Sequence, residues 1–594
     1  MSRRLGPLLA LGVLGALVLF VFLPTLDHGW APLDDELNFT NNPHYRGLSP
    51  DHLRWMATTR LAGHYIPLSW LTLAVDHELS GMNPRGYHRT NLLLHLANAW
   101  LLFALAWRLL GASARGGAPP PEEGSPLQPA RLLGAFAAAA LFALHPLRVE
   151  SVAWITERRD LLCGFFCLLA VHAYLSAART SGRRYAARLG LALLAFVAAV
   201  LSKGIAIVLP VALVALDLFP LRRLDLDPRA WLARPSRTVL LEKLPFLALS
   251  ALFAAVTFWA IGPVMSSSAQ ATLTHRLLSA GFGLSFYLEK TLLPIAIPFQ
   301  IPATHLLSPA GDPAVLWRGL AFVAVFVAAS ALWRRRPAVP LALAVFAAFV
   351  LPVSGLFQAG PQLAAHRYTY LSTVSLALLL GGGLAVLARR FAPIDLPPST
   401  TGSSPPRGGR LGGGLAVLAL AVALALAARA QVALWRDDVT FSSAAVAAAP
   451  RAWPPVGALA RAHLARGEPK EALDALRAGR RRLPQALLLT YLEALVLATS
   501  PDADLRDGER ALELAAVAAR ATSYQDPAAL FALAAATAET GDAEGALRLL
   551  DAAERLARAG RKPELLPVLE EAGRRIRARG VVRLDVADWR GSLL

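Results

Sequence analysis

The sequence predicts an all-α fold: a polytopic bundle of about eleven transmembrane helices, followed by a soluble α-solenoid of helical repeats. Hydrophobic residues make up 55% of the 594-residue chain, and the mean hydropathy is +0.46. A soluble domain cannot bury that much apolar surface. Charged residues are sparse through residues 1–430 and dense after Arg436. We therefore predict a transmembrane domain over residues 1–430 and a repeat domain over residues 435–594.

Membrane topology explains the positive charge of the chain. The net charge is +18, but most Lys and Arg residues lie in short loops between apolar runs, as the positive-inside rule requires. Nucleic acid is therefore not expected as a partner. The two cysteines, Cys163 and Cys167, lie in one apolar run, which excludes a disulfide framework and leaves a zinc site unsupported.

Eleven apolar runs have roughly the length that spans a bilayer, although a few are short. The first follows a basic start and lacks a small-x-small cleavage site before Asp27, so we interpret it as a retained anchor helix. The runs cover about residues 6–24, 88–110, 131–145, 160–177, 186–201, 204–219, 244–262, 315–333, 338–354, 368–387 and 411–428.

The basic loops predict how the chain is oriented in its membrane. Basic segments such as residues 183–184 and 334–336 all fall on one side of the eleven runs, which predicts a cytoplasmic N-terminus. An odd number of spans then places the repeat domain outside the cytoplasm. A further run, 277–297, would invert every later loop if it spanned, so we predict an interfacial or re-entrant helix on the outer side.

Three polar segments connect these runs. The first outer loop covers about residues 25–87, and a second loop covers residues 112–130. Residues 391–413 are rich in Pro, Gly and Ser, which is typical of a flexible linker and here predicts a cytoplasmic one.

The tail repeats a helix–turn–helix pattern. Its key alanines, Ala472, Ala511 and Ala546, are 39 and 35 residues apart, close to the tetratricopeptide period of about 34 residues. Small side chains at these positions let two antiparallel helices pack closely. Three such units are about the minimum for a stable solenoid.

The first candidate for chemistry is the acidic triplet that starts at Asp34 and Asp35, about ten residues beyond the first run. No Walker loop, dinucleotide fingerprint or H-E-x-x-H motif occurs. Adjacent carboxylates repel, which can raise a pKa toward the range of a general base, and they can also hold a divalent cation. A solvated acidic turn or a helix N-cap explains the same residues.

A second candidate is the segment HPLRVESVAWITERRD between the third and fourth runs. Charged groups at the ends of membrane helices usually face a cavity or a partner, since a charge at a helix centre costs about 2.5–3.5 kcal/mol. An Arg–Glu pair that anchors the loop is an equally good reading. The candidate residues are His145, Glu150, Arg158, Arg159 and Asp160.

A third set consists of cations on the predicted outer side, where positive charge is disfavoured. They are Lys203, Lys290 and Arg367. Snorkelling explains any one of them, but three on the outer side are less ordinary, and an anionic ligand is the alternative explanation. We add His64, His366 and Tyr368 as further residues of the same predicted cavity.

These motifs together resemble the transmembrane and tetratricopeptide-repeat (TMTC-like) sugar transferases of the GT-C fold, especially their bacterial relatives. The resemblance extends over nearly the whole chain. It includes LDDELNFTNNPHYRGLS, HYIPLSWLTLAVDHELSGMNPRGYHRTNLLLHLANA, HPLRVESVAWITERRDLL, LSKGIAIVLPVALVALDLFPLRR, YLEKTLLP, LPVSGLFQAGPQLAAHRYTYLS and QVALWRDDVT.

The resemblance to the bacterial relatives implies an inverting glycosyltransferase of the cell (inner) membrane. It would act at the extracytoplasmic face, with the repeat domain in the periplasm. It would move a hexose, typically mannose, from a polyprenyl-phosphate carrier in the membrane lipid to a protein or glycan held near the repeat domain. Asp34 or Asp35 would be the base, and Arg367 with Lys203 or Lys290 would bind the carrier phosphate. No other cofactor is firmly implied, and a divalent cation at Asp34 and Asp35 stays open.

The chain departs from the family pattern at three places. Gly204 follows Lys203 where the family often has Glu or Pro, and His366 precedes Arg367 where an acidic residue is usual. The sequence FQIP replaces an expected Tyr-Pro. A non-catalytic scaffold whose repeats recruit periplasmic partners is therefore the alternative function. A transporter ranks third, because no inverted repeat or mid-membrane acidic pair is visible.

Overall fold

The computed structural model describes residues 2–31, 33–113, 127–262, 272–294, 300–302, 313–354, 356, 362–390, 408–450, 452–560, 562–586 and 588. The chain divides into two compact units, Met1–Arg436 and Asp437–Leu594. Parts of the predicted loop at 112–130 and of the linker at 391–413 lie outside the described residues.

Helices build nearly all of the first unit. Its described α-helices are α1 (Ser2–Phe22), α2 (Pro50–Thr58), α3 (Pro67–Ser80), α4 (Pro84–Ser113), α5 (Leu127–Ala143), α6 (Val149–Ala153), α7 (Arg158–Ala177), α8 (Gly182–Ser202), α9 (Leu209–Leu218), α10 (Ser236–Leu241), α11 (Leu244–Ile261), α12 (Leu273–Leu292), α13 (Pro313–Ser330), α14 (Ala338–Val350), α15 (Thr369–Arg390) and α16 (Gly408–Ala433).

Seven helical segments in the described residues are long and apolar enough to cross a membrane. They are Leu5–Asp27, Pro84–Gly111, Ile155–Ala177, Gly182–Ser202, Ser236–Ile261, His366–Arg390 and Gly413–Ala433. A pair bent by 52°, Gln128–Ala143 with Pro146–Ala153, makes an eighth if it counts as one span.

Three shorter apolar helices coincide with the remaining predicted runs. They are Gly204–Leu218, Val315–Ser330 and Ala338–Val353. The structure thus confirms a helical, multi-pass membrane domain. By length and composition it supports seven or eight spans, where the sequence predicts about eleven.

Two features lie outside the regular spans. Strands β1 (Gln300–Pro302) and β2 (Gln362–Ala365) pair antiparallel, with Gln300 opposite Ala365; the sequence predicted no strand. Helix α12 covers most of the run at 277–297 and is not among the candidate spans found in the described residues. Its interfacial or re-entrant placement stays a prediction, and residues 295–297 lie outside the described part.

Glycines let α5 and α15 approach closely. A Cβ atom added to Gly134 would lie 2.6 Å from the carbonyl oxygen of Gly381, and one added to Gly381 would meet the backbone of Gly134. Small residues allow this kind of close helix packing in membranes. The contact fixes α15 against α5, and the residues just before α15 carry one of the predicted site residues, Arg367.

The second unit is entirely helical within its described residues. Its helices are α17 (Asp438–Ala448), α18 (Trp453–Leu464), α19 (Pro469–Arg482), α20 (Leu487–Thr499), α21 (Gly508–Ala521), α22 (Pro527–Glu539), α23 (Ala543–Arg558) and α24 (Leu566–Arg579). The predicted key alanines, Ala472, Ala511 and Ala546, are fully buried. Their assignment to tetratricopeptide-like repeats stays a prediction.

Candidate functional site

The loop after α1 holds Asp35 in the protein interior, where its side chain is fully buried. Its Oδ1 accepts hydrogen bonds from the Trp154 indole at 2.8 Å and the Thr156 hydroxyl at 2.6 Å. Its Oδ2 accepts one from the backbone N–H of Ala31 at 2.8 Å. Burial raises the pKa of Asp35 to about 7, and these hydrogen bonds oppose the rise. Asp35 thus fastens its loop to the segment that precedes α7.

Asp34, the neighbour of Asp35, has an exposed side chain. Its backbone carbonyl accepts the N–H of Asn38 at 2.9 Å, and its carboxylate lies close enough to Arg159 to act on that guanidinium charge. Of the two adjacent carboxylates, Asp34 is therefore the one that an approaching molecule can reach.

A divalent cation at this acidic pair finds no preformed site. Within the described residues, no group of three or more His, Cys, Asp or Glu side chains is arranged to hold a metal ion. Both oxygens of Asp35 already accept hydrogen bonds. The pair therefore offers a free carboxylate at Asp34 only.

Three acidic and three basic side chains form a buried network that we call the Glu157 cluster. Its members come from α6, the start of α7, the end of α8 and the turn before α15, so four separate chain segments meet here. Each of its acidic side chains is at most 4% exposed. The members are Glu150, Glu157, Arg159, Asp160, Lys203 and Arg367.

Glu157 lies at the centre of this cluster. Its Oε1 lies 2.6 Å from Nη2 of Arg159 and 3.3 Å from Nε of Arg367. Its Oε2 lies 2.9 Å from Nζ of Lys203. The structure therefore brings Lys203 and Arg367, two of the three predicted phosphate-binding cations, to one carboxylate.

The remaining two acids complete the charge balance. Asp160 lies 2.7 Å from Nζ of Lys203, and Glu150 pairs with the Arg367 guanidinium and accepts its backbone N–H at 2.9 Å. Buried ion pairs are tolerated only when both charges are met by close partners. Because the cluster holds equal numbers of both signs, it is electrically neutral as a whole.

Lys290 lies apart from these ion pairs. It pairs at 3.1 Å with Glu289, its neighbour on α12, and Glu289 also contacts Arg318 of α13 at 2.7 Å. Lys290 thus pairs with its own neighbour on α12, and Glu289 in turn joins α12 to α13 through Arg318.

Arg158 and Arg159 enter different networks although they are adjacent. Arg158 is fully buried, pairs with Asp76 at 2.6 Å and donates to the carbonyl of Tyr87 at 2.9 Å. It also bonds Asn91. These contacts of Arg158 hold α3 and α4 against α7. Arg158 therefore has the anchoring role that the sequence offered as an alternative to a binding role.

His64, His366 and Tyr368 lie beside cations of the Glu157 cluster. His64 is half-buried, and its pKa is held well below the usual value by burial and by the cations Arg159 and Lys203. His145 and His366 are buried. The ring of Tyr368 lies 4.9 Å from the guanidinium carbon of Arg367.

The structure adds one residue that the sequence reasoning missed, Arg148. It lies at the bend between α5 and α6 and is 1% exposed. Its guanidinium donates to the hydroxyl of Thr369 at 2.5 Å and stacks near the rings of Phe142 and Tyr370, each 5.4 Å away. Its Nε and Nη1 have no hydrogen-bond partner within the described residues.

Arg148 is thus a buried cation that no ion pair found in the described residues neutralises, and such a charge is costly. A sequence signal for it was present. Arg148 belongs to the motif HPLRVES at the end of an apolar run, on the side that the basic loops predict to be the outer one, where cations are disfavoured.

Taken together, these features define a multi-pass membrane protein with an exposed carboxylate beside a buried ionic network. The chain is similar to the protein O-mannosyl-transferase Tmtc1 of Drosophila melanogaster, with 32% identity over 200 residues, which are 32% of this chain and 21% of that protein. It is also similar to human TMTC4, with 31% identity over 191 residues, 31% of this chain and 25% of the relative.

A third relative is the Drosophila protein O-mannosyl-transferase Tmtc3, 38% identical over 122 residues, 20% of this chain and 12% of that protein. The chain thus spans at most a quarter of the length of these curated relatives. No family model and no solved structure matches the chain. The relatives confirm the predicted TMTC-like resemblance, while a bacterial origin stays a prediction.

Proposed function

We propose that this protein is a GT-C-type glycosyltransferase that moves a hexose, typically mannose, onto a protein or glycan hydroxyl. The donor is a polyprenyl-phosphate-linked sugar, and the reaction takes place at the extracytoplasmic face of the cell membrane. Similarity to named protein O-mannosyl-transferases supports sugar transfer to protein. The observation that carries the proposal is the exposed Asp34 carboxylate at the edge of the Glu157 cluster, close to Arg159.

Asp34 acts as the general base in this proposal. As the acceptor oxygen attacks C1 of the sugar, its proton passes to the Asp34 carboxylate, and the new C1–O bond forms. The bond between C1 and the phosphate oxygen breaks, and its electron pair leaves with the carrier phosphate. Attack from the face opposite the phosphate inverts the configuration at C1.

Asp35 has a positioning role. Three donors occupy its oxygens, so it is poorly placed to receive the acceptor proton. The same hydrogen bonds fix the backbone on which Asp34 stands. The two adjacent acids, which the sequence could not separate, thus take different roles.

The carrier phosphate needs a cation whose charge is not already met, because the leaving phosphate gains negative charge next to low-dielectric lipid. Arg367 and Lys203 are matched by carboxylates, whereas Arg148 is not. An arginine also suits phosphate best, since its donors match two phosphate oxygens. We assign the phosphate to Arg148, with Arg367 and Lys203 shaping the site. Because Arg148 is buried, donor binding requires a rearrangement at the bend between α5 and α6.

The ion pairs of Lys203 and Arg367 also favour one alternative. A network that is already neutral needs no ligand, as expected of a non-catalytic membrane scaffold whose repeats recruit periplasmic partners. In that case Asp34 and Arg148 would have no role in turnover, and the assay below separates the two functions.

The test is transfer from a radiolabelled polyprenyl-phosphate mannose to Ser/Thr-rich peptides by purified full-length protein. We expect Asp34→Asn to lower the rate by about 10²–10⁴-fold, the usual loss when a general base is removed. Asp51→Asn is the matched control, since Asp51 is an exposed carboxylate on α2 of the same loop. Full activity in Asp34→Asn would overturn this role. Absence of transfer by the wild type to every acceptor would favour the scaffold.

A further inference from the structure

Arginine side chains converge where three candidate spans end or begin. Spans Pro84–Gly111 and Ile155–Ala177 end here, and span Gly182–Ser202 begins here. The residues involved therefore lie at the depth where helices leave the hydrocarbon core and meet lipid headgroups. We call Arg108, Arg179 and Arg188 the Ser176 arginine group, after the serine that two of them bind.

Arg108 is held by neutral groups. Its Nη1 lies 2.8 Å from Nδ1 of His172 and 3.1 Å from the His172 carbonyl oxygen, and its Nη2 lies 2.9 Å from the Ser176 hydroxyl. A guanidinium can only donate, so Nδ1 of His172 must accept. The other ring nitrogen, Nε2, lies 3.0 Å from the carbonyl oxygen of Leu101 and must donate. His172 is therefore a neutral imidazole and offers Arg108 no compensating charge.

A second guanidinium binds the same serine. Nη1 of Arg188 donates to the Ser176 carbonyl oxygen at 3.0 Å. Both Arg188 and the exposed Arg179 lie close enough to Arg108 to repel its charge. Bringing like charges together is unfavourable unless an anion lies among them.

No ion pair found within the described part of the chain includes a member of this group. Two carboxylates that contact Tyr174 near the end of α7 are already engaged, because Asp217 pairs with Lys243 at 2.6 Å and Glu242 pairs with Arg223 at 2.6 Å. Two further exposed arginines, Arg183 and Arg184, begin α8 and add to the positive potential at this end.

We propose that the Ser176 arginine group binds the phosphate of an anionic phospholipid headgroup. Arginine forks match phosphate oxygens, and basic pockets between transmembrane helices bind anionic headgroups in this way. The position at the end of three spans selects a membrane lipid over a soluble phosphate. This site is separate from the proposed transferase site, since Arg159 and Ser176 are near opposite ends of α7.

The experiment offers the purified full-length protein equal amounts of phosphatidylglycerol and phosphatidylcholine, and native mass spectrometry counts the lipids retained. Wild-type protein should prefer phosphatidylglycerol. The variant Arg108→Gln with Arg188→Gln should retain about tenfold less of it, with phosphatidylcholine unchanged. Arg335→Gln removes the same charge from an exposed arginine beyond α13 and should keep the wild-type preference.

Further arms remove the remaining explanations. Arg179→Gln, which changes an exposed side chain only, should reduce retention even if the double variant fails to fold. Inorganic phosphate should leave the bound lipid in place, and displacement by phosphate would overturn the choice of a lipid.

The sequence of segment 114–126 contains Glu122 and Glu123. If phosphatidylglycerol binds only after both glutamates are changed, by Glu122→Gln and Glu123→Gln, then their side chains occupy the site in the wild type. The proposal is wrong in that case. Equal retention by a folded Arg108/Arg188 variant would also refute it.

Discussion

Helix α7 connects two buried ionic networks of similar composition. The Glu157 cluster surrounds its first turn, and a second network surrounds Tyr174, about 22 Å further along the helix axis. This second network, which we call the Tyr174 cluster, contains two acids, two bases and the phenol. Its members are Tyr174, Asp217, Arg223, Glu242 and Lys243.

Every charge in the Tyr174 cluster has an opposite partner within it. Asp217 lies 2.6 Å from Nζ of Lys243 and 3.1 Å from Nη1 of Arg223. Glu242 accepts two hydrogen bonds from Arg223, at 2.6 and 2.8 Å. The Tyr174 hydroxyl donates to Asp217 at 2.6 Å. The cluster locks the chain segment after α9 against α7 and α11.

The two networks differ in their neighbours rather than in their ion pairs. The Glu157 cluster lies near the exposed carboxylate of Asp34, and the unmatched guanidinium of Arg148 lies two residues before its member Glu150. Matched buried pairs hold helices together, whereas an unmatched charge beside them is costly unless it serves a ligand. The comparison therefore predicts a structural role for the Tyr174 cluster and a binding role around Glu157.

The largest expected effect is the pH dependence of Asp35. Its pKa is about 7 in the folded protein, against 3.8 as the ordinary value. Below about pH 4, Asp35 is protonated in both states. Between about pH 4 and 7 only the unfolded chain ionises, so the free energy of unfolding falls by about 4 kcal/mol as pH rises and then stays level.

The measurement is chemical unfolding in detergent micelles across this pH range. The difference in unfolding free energy between wild type and Asp35→Asn should fall with rising pH, since asparagine does not titrate. A difference that grew with pH would show that the three hydrogen bonds hold Asp35 ionised.

The next effect concerns Lys243 of the Tyr174 cluster. Lys243→Met should lower the free energy of unfolding by about 3 kcal/mol, the low end for a broken buried pair, because Arg223 still contacts Asp217. Adding Asp217→Asn restores the charge balance and should recover most of the loss in the same unfolding measurement. Sugar transfer per folded molecule should stay at the wild-type level in both variants. A loss of transfer without a loss of stability would contradict the structural role.

The helices of the membrane unit could be predicted well from apolar runs. The runs at 88–110 and 160–177 correspond to α4 and α7, which extend three or four residues further at most. The run at 204–219 is different, because Gly204–Leu218 is too short to pass as a span. Its first residue follows Lys203, where the backbone is extended after the end of α8. Strands β1 and β2 were missed because each has only three or four residues.

The sequence predicted which residues belong to the site, but not which of them pair with one another. The triplet at Asp34 and the segment from His145 to Asp160 contain most of the groups that meet. The partner of Arg367 is Glu150, 217 residues away, and no local spacing encodes that contact. Which of the two adjacent acids is buried depends on Trp154, 119 residues from Asp35. The motif HPLRVES pointed to Arg148, but its lack of an ion pair among the described residues depends on which carboxylates reach it in the folded chain, and the sequence does not encode that.

The smallest expected effect on stability comes from substitution of Arg148. This substitution tests most directly whether the two networks differ in function. Arg148→Gln removes an unmatched buried charge and keeps a shorter, polar side chain, at the cost of one neutral-acceptor hydrogen bond from the guanidinium to Thr369. Unlike Lys243→Met, it should leave stability unchanged or raise it, because no buried carboxylate loses its partner.

Binding should change in the opposite direction from stability. If Arg148 receives the carrier phosphate, Arg148→Gln should weaken binding of the polyprenyl-phosphate sugar by about tenfold or more, since a charge-assisted phosphate contact is lost. Equilibrium binding of the radiolabelled donor to purified protein measures this. The matched control is Arg223→Gln, which removes a guanidinium from the Tyr174 cluster and should destabilise the protein while the folded fraction binds donor normally. Undiminished donor binding by a stable Arg148→Gln protein would make Arg148 a structural cation, and the two networks would then differ in position alone.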